Sequence, residues 1–349
     1  MRLTFLGPLH YDNVIDVNRS ISMNKMAVAR GGALIALMAS VVIGGAWAQT
    51  VAPAGKTVVL PDRPEGVSHP RELRLTCPGG MSLCYRFGPP SPKSYIRELT
   101  TPGGVHVARD DVADHVHHHG LMYALSVDGR TFWEEWNKKT GWQGLQHSVS
   151  LQVAGSVIDE TLHWVWPDGT VYAVEHRRLN LMGGQHPARL EWETTLEPPE
   201  GKAEITLSGN HYYGMGLRFP QTMDGKTRFV YDPAGAAEIF RGDERLVRGA
   251  AWCAAVSAPD GRPVTVAFFD RPGNARPAVW FTMNEPFAYL SATLALHEIP
   301  MTVTRGEPLR VRYGVALWDE EALPETIAAE LEKWPGESKD AGDANGVAR

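Results

Sequence analysis

The chain has 349 residues, a formal net charge of −6, 43% hydrophobic and 21% charged residues. With no basic tract it excludes nucleic acid as a partner, since phosphate binding needs clustered Lys and Arg, and it is long enough for a sizeable core. Eleven Trp and ten Tyr suit a β protein whose core or site packs on flat, partly polar surfaces such as a sugar ring.

In chain order, the first feature is "MNKMAVARGGALIALMASVVIGGAWAQ". Lys25 and Arg30 precede an apolar run from Ala33 to Ile43 that is short for a membrane span, and Ala46-Trp47-Ala48 forms an A-x-A cleavage site. Residues 1–48 are therefore expected to be an N-terminal extension plus signal peptide, with translation starting at Met23 or Met26. No later segment is apolar enough to span a bilayer. The mature protein is expected in the periplasm or secreted, without stable membrane insertion after cleavage.

Cys77 and Cys84 bracket "PGGMSL" between two strand-like runs and are placed by that spacing to close a small hairpin disulfide in an oxidising compartment. Cys253 is then left single, beside Trp252. From Thr57 onward, apolar residues alternate with polar ones between turns. "TLHWVWPDGTVYAVEHRRLNL" predicts a hairpin, and "LMYALSVDGRTFW" a second one bent at Asp128-Gly129. Further runs, "RLEWETTLEP", "AEITLSG", "RPVTVAFFD", "AVWFTM", "AYLSATLALHE" and "LRVRYGVALW", continue to residue 318. One helix is predicted over 323–334, and the tail 336–349 is polar and expected to be disordered. The spacing predicts an all-β protein, with residues 49–335 forming one large antiparallel β-sandwich domain with a short C-terminal helix.

The densest chemistry lies in "DDVADHVHHHG" (110–120), which holds His115, His117, His118 and His119. On an extended strand His115 and His117 share a face, so they could begin a metal site, completed by Glu135, His147, His176 or His211. Proton transfer without a metal and a polar structural loop are equally open at this level, because an imidazole exchanges protons near neutrality. In "TFWEEW" (131–136), Glu134 and Glu135 sit between Trp133 and Trp136, where an apolar wall would raise a carboxyl pKa. In "GNHYYGMGLRF" (209–219), small residues around His211 and Arg218 permit close backbone approach, and Arg218 could hold a carboxylate or a hydroxyl pair. "RPGNARPAVWFTMNEPFAYL" (271–290) reads as a long loop entering a strand, with Asn274 and Arg276 as loop ties.

Together "DHVHHHGL", "FWEEW", "YYGMGLR" and "NARPAVWF…PFAYL" resemble the bacterial methane oxygenase PmoA-like family, a domain of unknown function common in exported proteins. The resemblance covers about residue 90 to 318. Asp114, His115, His117, His118 and Gly120 match a D-H-P-H-H-R-G motif, with Val116 and His119 at the Pro and Arg positions. Phe132, Trp133 and Glu135 match F-W-G-E, Glu134 replacing the glycine, and His147 falls where the family often has a histidine. The family name implies no methane chemistry here, because particulate methane oxygenase subunits are built of transmembrane helices and the mature chain has none. The resemblance implies a galactose-mutarotase-like supersandwich, a fold that carries carbohydrate lyases, hydrolases and epimerases.

The leading expectation is an exported lyase or hydrolase acting on a glycoside such as a keto-glycoside or uronate. His117 or His118 would abstract a proton beside a carbonyl or carboxyl group, Glu135 or His147 would protonate the leaving oxygen, and Arg218 would steady the enolate. Asp114, Trp133 and His211 join Arg218 as substrate-binding candidates. This chemistry requires no cofactor. The alternatives are a metalloenzyme holding Zn, Cu or Mn through His115, His117 and His147, and a non-catalytic sugar-binding protein. The sequence leaves the oligomeric state open.

Overall fold

The computed structural model describes residues 58–59, 71–89, 91–110, 112, 115–182 and 186–334. The expected signal peptide, the tail and Asp114 lie outside these residues. Among them, two nine-stranded antiparallel sheets dominate. The first runs Val58–Val59, Leu145–Ala154, Val157–Val165, Val171–Met182, Ala188–Glu197, Leu309–Trp318, Val264–Asp270, Trp252–Ser257, Arg228–Tyr231. The second runs Ala236–Arg241, Glu244–Arg248, Val279–Met283, Tyr289–Thr293, Gly214–Arg218, Leu121–Ala124, Tyr95–Thr100, Ser82–Phe87, Arg71–Thr76. The protein is thus an all-β, antiparallel sandwich with one short C-terminal helix, as the alternation predicts.

The two predicted hairpins form at their predicted bends. Asp128 and Gly129 both have positive φ, 49° and 74°, the geometry of the tight hairpin turn that an Asp-Gly pair favours. The helix is shorter than expected, Pro324–Leu331; Pro324 starts it with a pre-set φ, and it buries Ile327 and Glu330, the latter bonded to Arg189. Asn274 and Arg276 are loop ties: the Asn274 amide donates to Asp270 at 2.6 Å and Arg276 donates to the Ile299 carbonyl at 2.6 Å.

Between the sheets lies a core of aromatic and aliphatic side chains around one polar knot. Tyr85 from the second sheet donates to Glu160 on the first, and Arg177 pairs with Glu175 at 2.8 Å while donating to the Ser94 carbonyl at 2.5 Å. These groups are almost wholly buried, so each needs its partners.

The three cysteines are separate, buried thiols, contrary to the expected disulfide. The register explains this. Thr76 opposes Ser82 and Cys84 opposes Arg74, so Cys84 lies three strand positions, roughly 10 Å, from Cys77, beyond disulfide reach.

Register also decides which face carries the site. Tyr123, Met215, Leu217 and Leu290 lie opposite one another across neighbouring strands and face the first sheet. Their alternates, Gly216, Arg218, Tyr289 and Ser291, face the other way, together with Arg86 and Tyr95 two to four strands along. The chain at 105–110 and 115–120 crosses this outer face. It is stitched down by Val107 N–H to the Leu99 carbonyl, Arg109 N–H to the Arg218 carbonyl, and Arg218 N–H to the Gly120 carbonyl, at 2.8–2.9 Å. Gly120 is needed at this crossing, since a Cβ there would overlap the Ile96 carbonyl oxygen. Gly120→Ala is expected to cost about 1–3 kcal/mol, read as a lowered melting temperature; an unchanged melt would contradict this packing.

Candidate active site

The histidine run is not a strand. His118 N–H donates to the His115 carbonyl at 2.8 Å, closing a turn that brings the first and fourth residues together. His115 and His118 therefore stack, with centroids 4.8 Å apart, and His117 stands edge-on to both at 5.9 and 4.7 Å. The expected pairing of His115 with His117 on one strand face is replaced by a three-ring cluster.

His119 points elsewhere and is bonded at both nitrogens. Its Nδ1 lies 2.7 Å from Asp110 and its Nε2 2.6 Å from Glu135, while its ring stacks on Tyr95 at 4.1 Å. Glu135 also receives Lys93 Nζ at 2.6 Å, and Lys93 donates to the Trp133 carbonyl at 2.6 Å. At the other end Arg86 and the Tyr95 hydroxyl both donate to Asp110 Oδ2, at 3.3 and 3.0 Å. The row Arg86, Asp110, His119, Glu135, Lys93 alternates in sign and is mostly out of water.

The alternation sets the protonation states. Burial raises the Glu135 pKa, but Lys93 and His119 outweigh it and hold the carboxyl at about 2. Burial opposes charge on His119, yet Glu135 and Asp110 prevail and raise its pKa. Lys93 is lowered by burial, with Glu135 offsetting part of the effect. Glu135 is therefore a clamped carboxylate, not the raised-pKa general acid expected beside tryptophan.

Next to this row, His117 and His118 are held in the neutral form. His118 stacks on Tyr289 at 5.4 Å and stands edge-on to Phe287 and Trp133 at 5.4 and 6.2 Å. The Arg218 guanidinium lies 3.3 Å over the same Phe287 ring. Burial, then the charges of its neighbours including Arg218, pushes the His118 pKa well down; burial, then Lys93, lowers His117 to about 4. His118 Nδ1, Trp133 Nε1 and Tyr289 Oη are buried without a hydrogen-bond partner among the described residues. Each such orphan costs about 1–3 kcal/mol, and these three lie together around the His118 ring. Gly216 lets this happen, because a Cβ there would collide with the Tyr289 hydroxyl.

The structure thus brings together His115, His117, His118, Trp133, Glu135 and Arg218. His147 is not among them. Gln146 beside it faces the core, accepting from Arg177 and donating to the Tyr123 carbonyl, so His147 occupies the opposite face of the first sheet, directly across from His163. A metal held by His115, His117 and His147 does not fit this placement. Among the described residues no group of three or more His, Cys, Asp or Glu side chains is arranged to hold a metal ion. His211 belongs to a neighbouring cluster, stacked on Phe240 at 3.9 Å with Nε2 3.2 Å from Glu244; it connects to the histidine cluster through Tyr212, edge-on to Trp133, and through Phe281, which packs on Tyr289. Sequence reasoning missed Lys93, Asp110, Tyr95 and Arg86 altogether. Tyr289 and Phe287 fall within the "PFAYL" run that carries part of the family resemblance.

A family model covers residues 72–332, described as a family of unknown function, DUF6807. The chain belongs to the DUF6807 family. No curated protein matches the sequence. Similar solved structures include a protein assigned as an aldose 1-epimerase from Escherichia coli K12, 9% identical, covering 71% of this DUF6807 chain and 99% of that chain, with a TM-score of 0.46. A GH36 α-galactosidase from Geobacillus stearothermophilus is 8% identical, covering 72% and 41% of the two chains, with a TM-score of 0.41. A polysaccharide lyase is 14% identical, covering 73% and 34%, with a TM-score of 0.34.

Proposed function

We propose that the protein is an exported carbohydrate-active enzyme, a lyase or hydrolase acting by proton transfer on a glycoside that carries a carbonyl or carboxyl group. The observation that carries this reading is the pair of neutral imidazoles, His117 edge-on to His118, with His118 sharing the Phe287 ring with the buried Arg218 guanidinium. His117 is the half-buried member and the better placed to meet a substrate; with a pKa near 4 it is in the proton-accepting form at neutral pH. Arg218 would hold the substrate carboxylate or carbonyl oxygen and steady the enolate that forms when the neighbouring C–H proton leaves. The substrate's negative charge would in turn raise the basicity of His117 in the complex.

The clamped row from Arg86 to Lys93 serves position rather than proton transfer: it fixes His119, and with it the peptide that carries His118. The leaving-group acid falls to Tyr289, whose buried phenol keeps its proton and stacks on His118. The sugar class rests on the motif resemblance and on the Trp133 indole and Tyr289 phenol packed around His118. Export rests on the signal sequence.

The test is product formation from a panel of uronates and keto-glycosides by wild-type and Arg218→Met protein. Product from at least one substrate is expected, with kcat/KM lowered roughly 100-fold or more in the variant. Saturable binding without product across the panel, or an unimpaired Arg218→Met protein, would overturn the proposal.

A further inference from the structure

Trp136 and Trp142 are 51% and 61% exposed, although every other tryptophan of the pocket region is buried or half-buried. They stand directly opposite each other on the paired strands Trp136–Asn137 and Gly141–Trp142, so both indoles leave one face of a small hairpin. The hairpin grows out of the active-site segment. Trp136 follows the clamped Glu135, whose carbonyl accepts from Gln143 N–H at 2.9 Å. The Gln143 amide, donating to Thr140 Oγ1 at 2.6 Å and the Gly141 carbonyl at 2.9 Å, stiffens the turn. At its tip Lys138 and Lys139 are exposed, and neither has an ion-pair partner among the described residues.

We infer that this hairpin is a binding platform for an acidic oligosaccharide. Two indoles held in solvent cost free energy in proportion to their apolar area, which a flat pyranose C–H face would cover while its hydroxyls stay wet. The two ammonium groups add charge complementarity for the carboxylates that such a chain carries on its edges. The platform is joined to the histidine cluster through Glu135, which bonds His119, so a glycan lying across Trp136 and Trp142 would be held next to the proposed site. This deepens the proposed function and rests on it for that last step only.

Calorimetric titration of the full-length protein with short oligogalacturonate and oligoalginate, with cello-oligosaccharide as the neutral comparator, tests the inference. Wild type is expected to bind the acidic probes more tightly than the neutral one, with an affinity that falls as salt rises. Trp136→Ala and Trp142→Ala should each weaken binding roughly ten-fold, the size of one lost aromatic stack. Their melting temperature and their turnover of a monomeric substrate should stay unchanged. Lys138→Ala/Lys139→Ala should remove the preference for acidic chains. No acidic binding by wild type, or undiminished binding by the double tryptophan variant, would overturn the platform. Failure of the catalytic proposal shows separately, as His117→Ala/His118→Ala protein that still turns over substrate while the tryptophan variants bind weakly.

Discussion

Replacing Glu135 by alanine is expected to destabilise the protein by about 3–5 kcal/mol, the range for stripping one partner from a buried ion pair. At roughly 2–4 °C per kcal/mol for a large domain, the melting temperature should fall by about 10 °C. Lys93 Nζ and His119 Nε2 both sit 2.6 Å from the same carboxylate oxygen, and both are buried, so the deletion strands two cations at once. Glu135→Gln should lose less, because the amide oxygen still accepts one of the two bonds. Acid melts should carry the same signature. The Glu135 pKa is depressed to about 2, so its contribution is complete above the unfolded carboxyl value near 4.5 and drains away as pH falls towards 2. His119 acts in the opposite sense: its raised pKa gives stability that is full below its unfolded value of 6.5 and is lost as pH rises through the folded one. In Glu135→Ala the acid-side loss should flatten. A variant that melts like wild type but has lost all turnover would mean that Glu135 is the proton donor after all.

His117→Ala is expected to lower kcat by roughly 100- to 10,000-fold on any substrate the wild type turns over, the range for a positioned general base. Its melting temperature should scarcely move, since the ring is half-buried and leaves no sealed cavity. His118→Ala should lose activity too, but with about 1–3 kcal/mol of stability, because its ring fills the space between Tyr289, Phe287 and Trp133. In wild type the acid limb of kcat/KM should have its midpoint near pH 4 rather than at the usual imidazole value of about 6.5, because the free enzyme's base is His117 in its buried setting. A limb near 6.5 would point to a solvent-exposed histidine instead.

The sandwich was legible because strand alternation and turn chemistry are local: Asp128-Gly129 needs only its own two φ angles to make a hairpin. The juxtaposition of His115, His117, His118, Trp133, Glu135 and Arg218 was legible only in part, since Lys93, Asp110, Tyr95 and Arg86 carry no local signal. "HVHHH" reads as a strand if alternation is all one has, yet a strand needs a ladder partner. Residues 115–118 instead close on themselves through the His118 N–H to His115 carbonyl bond. Its tryptophan neighbours in sequence predict a raised carboxyl for Glu135. Its pKa is decided by Lys93, 42 residues earlier, and by His119, 16 residues earlier, contacts that no local pattern encodes. His147 failed for a related reason: one residue of register puts it on the far side of its sheet from Gln146. The cysteine pair was misjudged by the same kind of offset along a hairpin.

The most direct test is turnover in deuterium oxide of whichever uronate or keto-glycoside is consumed, with the carbon beside the carbonyl or carboxyl group followed by NMR. Proton abstraction by His117 predicts loss of that C–H signal or its replacement by deuterium, at a rate that collapses in His117→Ala/His118→Ala protein. Cleavage with the C–H bond intact throughout, or exchange at the wild-type rate in the double variant, would contradict the account.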